Sequence, residues 1–343
     1  MDFLEKSRIR NIIIFTTIIG ILIITFVMCI RLGSVNMTTS DVVDVIFNRS
    51  NSQNNVYYNI IWNIRFPRTL AALIGGASLA VAGLLLQIFF KNPIVEPYVL
   101  GVSSGATLMV ALIMLGGFSL GFKRISPLSI FVAALGGSVV VMIIVIIFAS
   151  KVKSVVTLLV IGLMTGYICS GVTNVLTVFA DKERLQGFTI WTMGSFSGFT
   201  WEQVKILMII GIPVLFLSFF MVKPLNAFLL GEEYAKSMGL NLKFFRISIV
   251  ALASILAAVV TAFSGPVGFI GLAVPQVSRL IFKSVDNKIL IPGVILLGGI
   301  VTALCDLIAR TALSPVELPI SAITSFIGAP LVIGLLLKRR KHS

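Results

Sequence analysis

Few residues of this chain can do chemistry, and their apolar surroundings make those few conspicuous. Asp306 stands near the end of an apolar run, and Arg310 follows four residues later. On a helix that spacing puts both on one face with the acid first, the favourable order for an ion pair. An ionisable group in such a place marks either an internal pair or a proton-carrying step. Arg65 and Arg68 flank Phe66-Pro67 just before another apolar run, where the proline holds the chain stiffly. Their planar guanidiniums suit two-pronged pairing with carboxylates. Asn92-Pro93-Ile94 interrupts an apolar stretch, and Asn followed by Pro is chemically sufficient to cap and open a helix.

Catalysis and metal binding find no support. Cys29, Cys169 and Cys305 all fall inside apolar runs, and the one histidine, His342, lies in the terminal tail. No Cys/His ligand spacing or disulfide framework results. A G-x-x-x-x-G-K-[ST] phosphate loop is absent, so the chain is not itself an ATPase of that kind. No acid/base constellation is visible. The sequence therefore predicts no catalytic residue, no cofactor and no metal site.

The elements that must position these groups are dictated by composition. Hydrophobic residues make up 57% of 343 and charged residues 12%, where soluble domains carry about 25% charged. The net charge of +14 would point to nucleic acid in a soluble domain. Here the basic residues occupy connectors and chain ends, which fits membrane lipid and topology and not nucleic acid. Span-length apolar runs need roughly 20 residues, and about ten occur, near 11–31, 68–90, 98–117, 127–149, 156–179, 203–222, 244–264, 267–283, 289–309 and 319–337. The first follows Lys6, Arg8 and Arg10 without a small-residue cleavage pattern and reads as a retained helix. The expectation is an all-α, multi-pass cell-membrane protein, a single transmembrane domain over 1–343.

An even number of spans puts both termini on one side. Basic residues at both ends, with Lys151/Lys153 and Lys223/Lys236/Lys243/Arg246, assign that side to the cytoplasm. Arg65, Arg68, Lys123 and Arg124 remain on the exterior against that rule. Three connectors are longer than simple turns: a polar, Asn-rich exterior loop about 32–66, an interfacial and partly re-entrant stretch about 181–202, and a cytoplasmic connector about 223–243. The last reads as a short apolar helix, a break at Gly231, and a helix whose first turn carries Glu232 and Glu233.

Small residues recur at four-residue spacing in Ala72/Gly76/Ala80, Gly101/Gly105, Gly162/Gly166 and Ala134/Ser138, predicting close helix packing inside one bundle. Spans are broken at Asn92-Pro93 with Pro97, at Gly265-Pro266 through Pro275, and around Pro319, Gly328 and Pro330. Broken helix is tolerated where it faces protein or a water-filled path, so a transport function follows.

The segment Arg65 to Ala106, RFPRTLAALIGGASLAVAGLLLQIFFKNPIVEPYVLGVSSGA, resembles the signature of FecCD-type permeases, the type II ABC importer subunits for ferric siderophores, haem and cobalamin. WTMGSFSGFTWEQ, LLGEEYAKSMGLN, SGPVGFIGLAVPQVSRL and ELPISAITSFIGAPLVIGLLL resemble that family's later blocks in the same order. The resemblance implies ten helices, a second permease subunit, identical or paralogous, around a central path, two ABC ATPase subunits on the cytoplasmic side and an exterior substrate-binding protein. It implies an iron-siderophore as substrate, with haem and cobalamin also within the family.

The resemblance further implies that Leu225, Leu229, Gly231, Glu232, Glu233, Lys236 and Gly239 belong to a coupling segment that docks into the ATPase. Asn92, Pro93 and Ile94 match a cytoplasmic gate, with Ser154 and Thr157 in the place of a second. Arg65, Arg68 and Arg310 match arginines that meet glutamates of the binding protein. Gln276 departs from the family, where many members have histidine, and removes a titratable group there. The competing reading, an ion-coupled secondary transporter, would need midplane ionisable or unwound-carbonyl ligands.

Overall fold

The computed structural model describes residues 3–33, 35, 37–47, 56–116, 126–152 and 154–340. Among these, regular structure is helical throughout: α1 (Phe3–Arg31), α2 (Thr39–Phe47), α3 (Val56–Asn59), α4 (Phe66–Phe89), α5 (Val102–Met114), α6 (Pro127–Lys151), α7 (Val155–Val178) and α8 (Lys182–Thr192). They are followed by α9 (Trp201–Ser218), α10 (Val222–Leu229), α11 (Glu232–Ser237), α12 (Leu242–Ser264), α13 (Ile270–Phe282), α14 (Asn287–Thr311) and α15 (Ile320–Arg340).

Among the described residues, seven helices are long and apolar enough to cross a membrane, and three shorter apolar ones, Val102–Met114, Ile270–Phe282 and Ile320–Gly334, occupy the remaining expected spans. The shortness has a local cause in the first two. At 1.5 Å per residue, 13 residues cover about 20 Å of a core about 30 Å thick. Irregular backbone covers the rest: a 3-10 turn at Pro97–Leu100 ending on left-handed Gly101 precedes α5, and the Gly265–Phe269 stretch precedes α13. These are the breaks expected from Pro97 and from Gly265-Pro266.

The core is built around α4, which is buried along nearly its whole length and packs on α12, α13 and α14. Its small residues make this possible. A Cβ on Gly83 would collide with the carbonyl oxygen of Gly271, and one on Gly76 with Gly298 and Thr302, so these backbones touch directly. Gly105 meets Gly137 in the same way, and Ser138 Oγ donates to the Val102 carbonyl at 3.2 Å. The four-residue small stripes are thus spent inside the chain.

The expected loop over about 32–66 is largely helical where described. α2, α3 and a π-helical turn at Ile60–Arg65 fill it, and the span runs unbroken over 34 residues from Val56 to Phe89. The reason is aromatic and aliphatic packing: Ile30, Met37, Val42, Val45 and Ile61 form a separate buried cluster, and Trp62 stacks on Phe66 with ring centroids 4.5 Å apart. The Asn-rich stretch 48–55, like Lys123, Arg124, Lys153, Lys341 and His342, lies outside the described residues. The 181–202 stretch folds into α8 followed by a turn in which Ser195 N–H donates to the Ser264 carbonyl at 2.8 Å, with Phe196 fully buried.

Candidate functional site

Three regions hold the residues singled out from the sequence. At the end of the bundle where α4 begins, Arg68 reaches Asp306 of α14 with Nε 3.0 Å from both carboxylate oxygens and Nη2 3.0 Å from Oδ1. Its Nη1 donates to Glu317 Oε1 at 2.7 Å. Burial by itself would raise the Glu317 carboxyl, but the Arg68 hydrogen bond and charge outweigh it and hold the group below the usual carboxylate range.

Arg65 turns the other way. It donates to the carbonyls of Ile30 (2.8 Å) and Arg31 (2.6 Å), orphan carbonyls at the C-terminal end of α1, and to that of Val35 (2.6 Å) beyond it. Arg310 donates to the Cys29 carbonyl at 2.6 Å and lies 3.9 Å from Asp306, beyond hydrogen-bond range.

Asp306 is therefore paired mainly with Arg68, 238 residues away, and only distantly with Arg310. The three arginines expected to form an exterior docking ring lie close together but mostly below the surface of the chain. Arg65, Arg68 and Arg310 are 3%, 5% and 5% exposed, and each is committed to carbonyls or carboxylates of this chain. Ionised groups at such depth persist only when hydrogen-bonded or paired, and these internal partners hold all three in place.

At the opposite end of α4, the Asn92 carboxamide accepts from Ile94 N–H at 3.0 Å, so it shapes a turn. Ile94 is exposed. The turn is tied down by Gln87, a buried amide whose Nε2 donates to the Gly271 and Leu272 carbonyls at 3.1 and 3.2 Å. Gln276 bridges Gln87 Oε1 and the Pro93 carbonyl, both at 3.0 Å, and Arg279 donates to Gln87 Oε1 at 2.8 Å. Gln276 is thus a structural bridge here. Nearby, Phe269 N–H donates to Glu96 at 3.2 Å and Val267 N–H to Tyr98 Oη at 2.6 Å, joining the two broken stretches to each other.

The third region is the connector of α10 and α11. Leu225 and Ala235 are buried, while Leu229, Leu230, Tyr234 and Met238 are exposed, as are Glu233, Lys236 and Gly239. Gly231, at φ 131°, makes the break between the helices with backbone geometry that favours glycine. Asn226 holds α10 to Asp286 and Asn287 at the start of α14, at 2.7 Å each. Glu232 pairs with Arg246 of α12. Ser154 Oγ accepts from Thr157 N–H at 3.2 Å, an N-cap for α7.

Residues 21–338 match the FecCD transport family. The chain belongs to that family. The permease protein BtuC of the vitamin B12 import system of Citrobacter koseri is 39% identical over 287 residues, 82% of this chain and 84% of its own. Its counterpart in Escherichia coli is 38% identical over 282 residues. A solved metal-chelate type ABC transporter in an inward-facing conformation is similar at TM-score 0.83 and 30% identity, covering 95% of this chain and 99% of that one. PsaBC from Streptococcus pneumoniae, at TM-score 0.52 and 14% identity, shares the fold alone. This FecCD chain is accordingly an all-α, multi-pass membrane permease of an ABC importer.

Sequence reasoning missed three functional-looking side chains in this FecCD bundle. Glu317 and Gln87 are polar residues beside breaks at Pro319 and Asn92-Pro93, and that adjacency was the available signal. Arg246 was read only as one of several topology-setting cations, although a cation in the first turns of a helix is electrostatically misplaced and needs a partner.

Proposed function

We propose that this permease carries a bulky metal chelate, an iron-siderophore complex, across the cell membrane with energy from two partner ATPases, and that both termini lie in the cytoplasm. The observation that carries the energetic part is the α10–α11 connector: a small, well-anchored unit that leaves Leu229, Leu230, Tyr234 and Met238 uncovered. Apolar side chains grouped on a charged rim at a membrane protein's end are an interaction site in the making. The metal-chelate description of the similar solved structure supports the cargo class.

A second reading, a cobalt corrinoid, is favoured by the names of the relatives in the vitamin B12 import system. A second permease subunit fits α7, which leaves Tyr167 and Ile168 about two-thirds exposed beside exposed Ser170, Gly171 and Asn174. Polar groups on a span are costly against lipid and belong against protein or a water-filled path. An exterior substrate-binding protein completes the assembly.

The permease is to be reconstituted in vesicles with its ATPases and binding protein, and uptake of a labelled ferric siderophore compared with labelled cobalamin. ATP-dependent siderophore uptake is expected. Preference for cobalamin would establish the second reading, and uptake driven by an ion gradient without ATP would establish a secondary transporter. Replacing 223–243 with a Gly/Ser linker should release the ATPases; their continued co-purification would refute the connector's role.

A further inference from the structure

Arg246 joins three segments that are far apart in sequence. It stands one turn into α12, is 8% exposed, and pairs through Nη2 with Glu232 of α11. Its Nη1 donates at 3.0 Å to the carbonyl of Val152, the residue that caps the C-terminal end of α6. Two residues further on, Ser154 caps α7. The geometry is electrostatically coherent: the start of α12 repels a cation, whereas the carbonyl end of α6 and the Glu232 carboxylate attract it. A guanidinium is the side chain that reaches two acceptors at fixed angles, which an ammonium on a flexible stem does not reproduce.

The three segments differ in how firmly they are held. α11 shows Tyr234 and Met238 outward and turns Ala235 and Glu232 inward, so a partner pressing on its outer face loads the Glu232 side. α7 is among the least covered spans of the chain. Its uncovered face is the one read above as the contact with the second permease subunit, so a displacement of α7 is felt between the two subunits. Between them stands one buried guanidinium. Further ties of the connector, Asn226 to Asp286 and Asn287 and Phe228 to Phe89 and Phe245, lead instead to α14, α4 and α12 and the well-packed core.

We propose that Arg246 is a positioning residue for transport: it makes the partner-facing α11 and the α6–α7 junction move as one body, so that ATPase motion reaches α7. The proposal rests on the reading of the α10–α11 connector as the ATPase contact. Arg246 touches neither substrate nor nucleotide on this view. It acts through Glu232 on one side and Val152 on the other.

The test uses the whole transporter, permease with ATPases and binding protein, in vesicles. Arg246→Gln should leave the ATPases bound and hydrolysing ATP, while substrate delivered per ATP falls about tenfold. Adding Glu232→Gln to Arg246→Gln should lower the delivery ratio no further, because the two act as a unit. Arg246→Lys should recover part of the ratio. Spin labels at Ser237 and Val156, both exposed, should keep a fixed separation between nucleotide-free and ATP-bound states in the parent and lose it in Arg246→Gln.

An unchanged delivery ratio in an assembled Arg246→Gln complex would overturn the proposal. So would loss of assembly in Arg246→Gln alone, which would make it a folding residue. Failure of the connector reading is seen separately, as ATPases that stay bound after the Gly/Ser replacement.

Discussion

Arg68 and Asp306, on different helices, share a fork in which the guanidinium Nε lies 3.0 Å from both carboxylate oxygens, with both residues at most 5% exposed. Removing one member of such a buried pair leaves an uncompensated charge and costs about 3–5 kcal/mol, whereas replacing both with apolar groups costs far less. Asp306→Asn is therefore expected to lower the thermal midpoint of the detergent-solubilised permease sharply, and Arg68→Met with Asp306→Leu to recover much of the loss. The same burial means that charge reversal at Arg65 or Arg68 will report on folding before it reports on any exterior partner. Equal midpoints for Asp306→Asn and the parent would remove the buried-pair assignment.

Gly83 and Gly271 bring α4 and α13 into backbone contact, leaving no room for a Cβ. Gly83→Ala must push the helices apart, and such overpacking costs typically 1–3 kcal/mol. More is expected here, because the atom struck is main chain and not the end of a flexible side chain. The same change at Gly136, where nothing lies within 4 Å, should be silent. Comparable folded yields of the two variants in membranes would contradict this packing.

Much of this architecture was legible because a bilayer core needs apolar spans of known length. The runs and the breaks at Pro97 and Gly265-Pro266 could be read directly, and small-residue spacing foretold tight packing. What could not be read was partner choice across long separations. Asp306 and Arg310 advertise a local pair by their spacing, yet Arg68 wins because its fork faces the carboxylate squarely. Positive-inside counting made Arg65 and Arg68 look like surface anomalies. It registers charge and side, and is blind to the helix C-terminus that Arg65 caps. In the segment before α4 the Asn-rich stretch drew attention to a loop, whereas the packing of Trp62, Phe66 and Ile61 makes the described residues beside it helical.

The Asn92 turn bears on passage through the bundle. Its carboxamide is engaged by Ile94 N–H, while Ile94 presents an exposed side chain. If this turn narrows the path, Ile94→Ala should raise ATP-independent leak of substrate from loaded vesicles severalfold without disturbing assembly, because the hydrogen bond is to main chain. Cysteines at position 94 of both subunits should cross-link in the closed state. A tight, uncross-linked Ile94→Cys transporter would leave the turn a purely structural one.

Glu317 offers a pH readout. Its carboxyl is held below the ordinary glutamate value because, although burial raises it, the Arg68 bond and charge outweigh burial. A depressed folded value means the contribution is fully present above the unfolded value and is lost as pH falls through the folded one. The parent should therefore hold its thermal midpoint down to about pH 4.5, with the Glu317-dependent part disappearing only below it. With a side chain 41% exposed, the effect is screened and small. The difference in midpoint between the parent and Glu317→Gln should shrink on acidification below that range. A difference that stayed constant from neutral pH to pH 3 would show that the carboxylate charge contributes nothing.

The outward face of the connector gives the most direct test of how energy enters. Leu230 and Met238 are 68% and 63% exposed, whereas Leu225 on the inner side is fully buried. The two sets can therefore be separated by mutation. Leu230→Asp with Met238→Asp puts two charges where an apolar contact would be desolvated, and truncating or charging central interface residues commonly costs 2 kcal/mol or more. Thirtyfold or greater weakening of ATPase binding is the expected result, with an unaltered melting profile because neither side chain supports the fold. Leu225→Ala should do the reverse, destabilising the permease by about 2–5 kcal/mol through the cavity it opens while affecting docking only through that loss. Binding is to be measured by titrating purified ATPase onto the permease in nanodiscs. Full affinity for the doubly charged variant would move the contact elsewhere, and the exposed leucine and methionine would then be lipid-facing ornaments of the membrane surface.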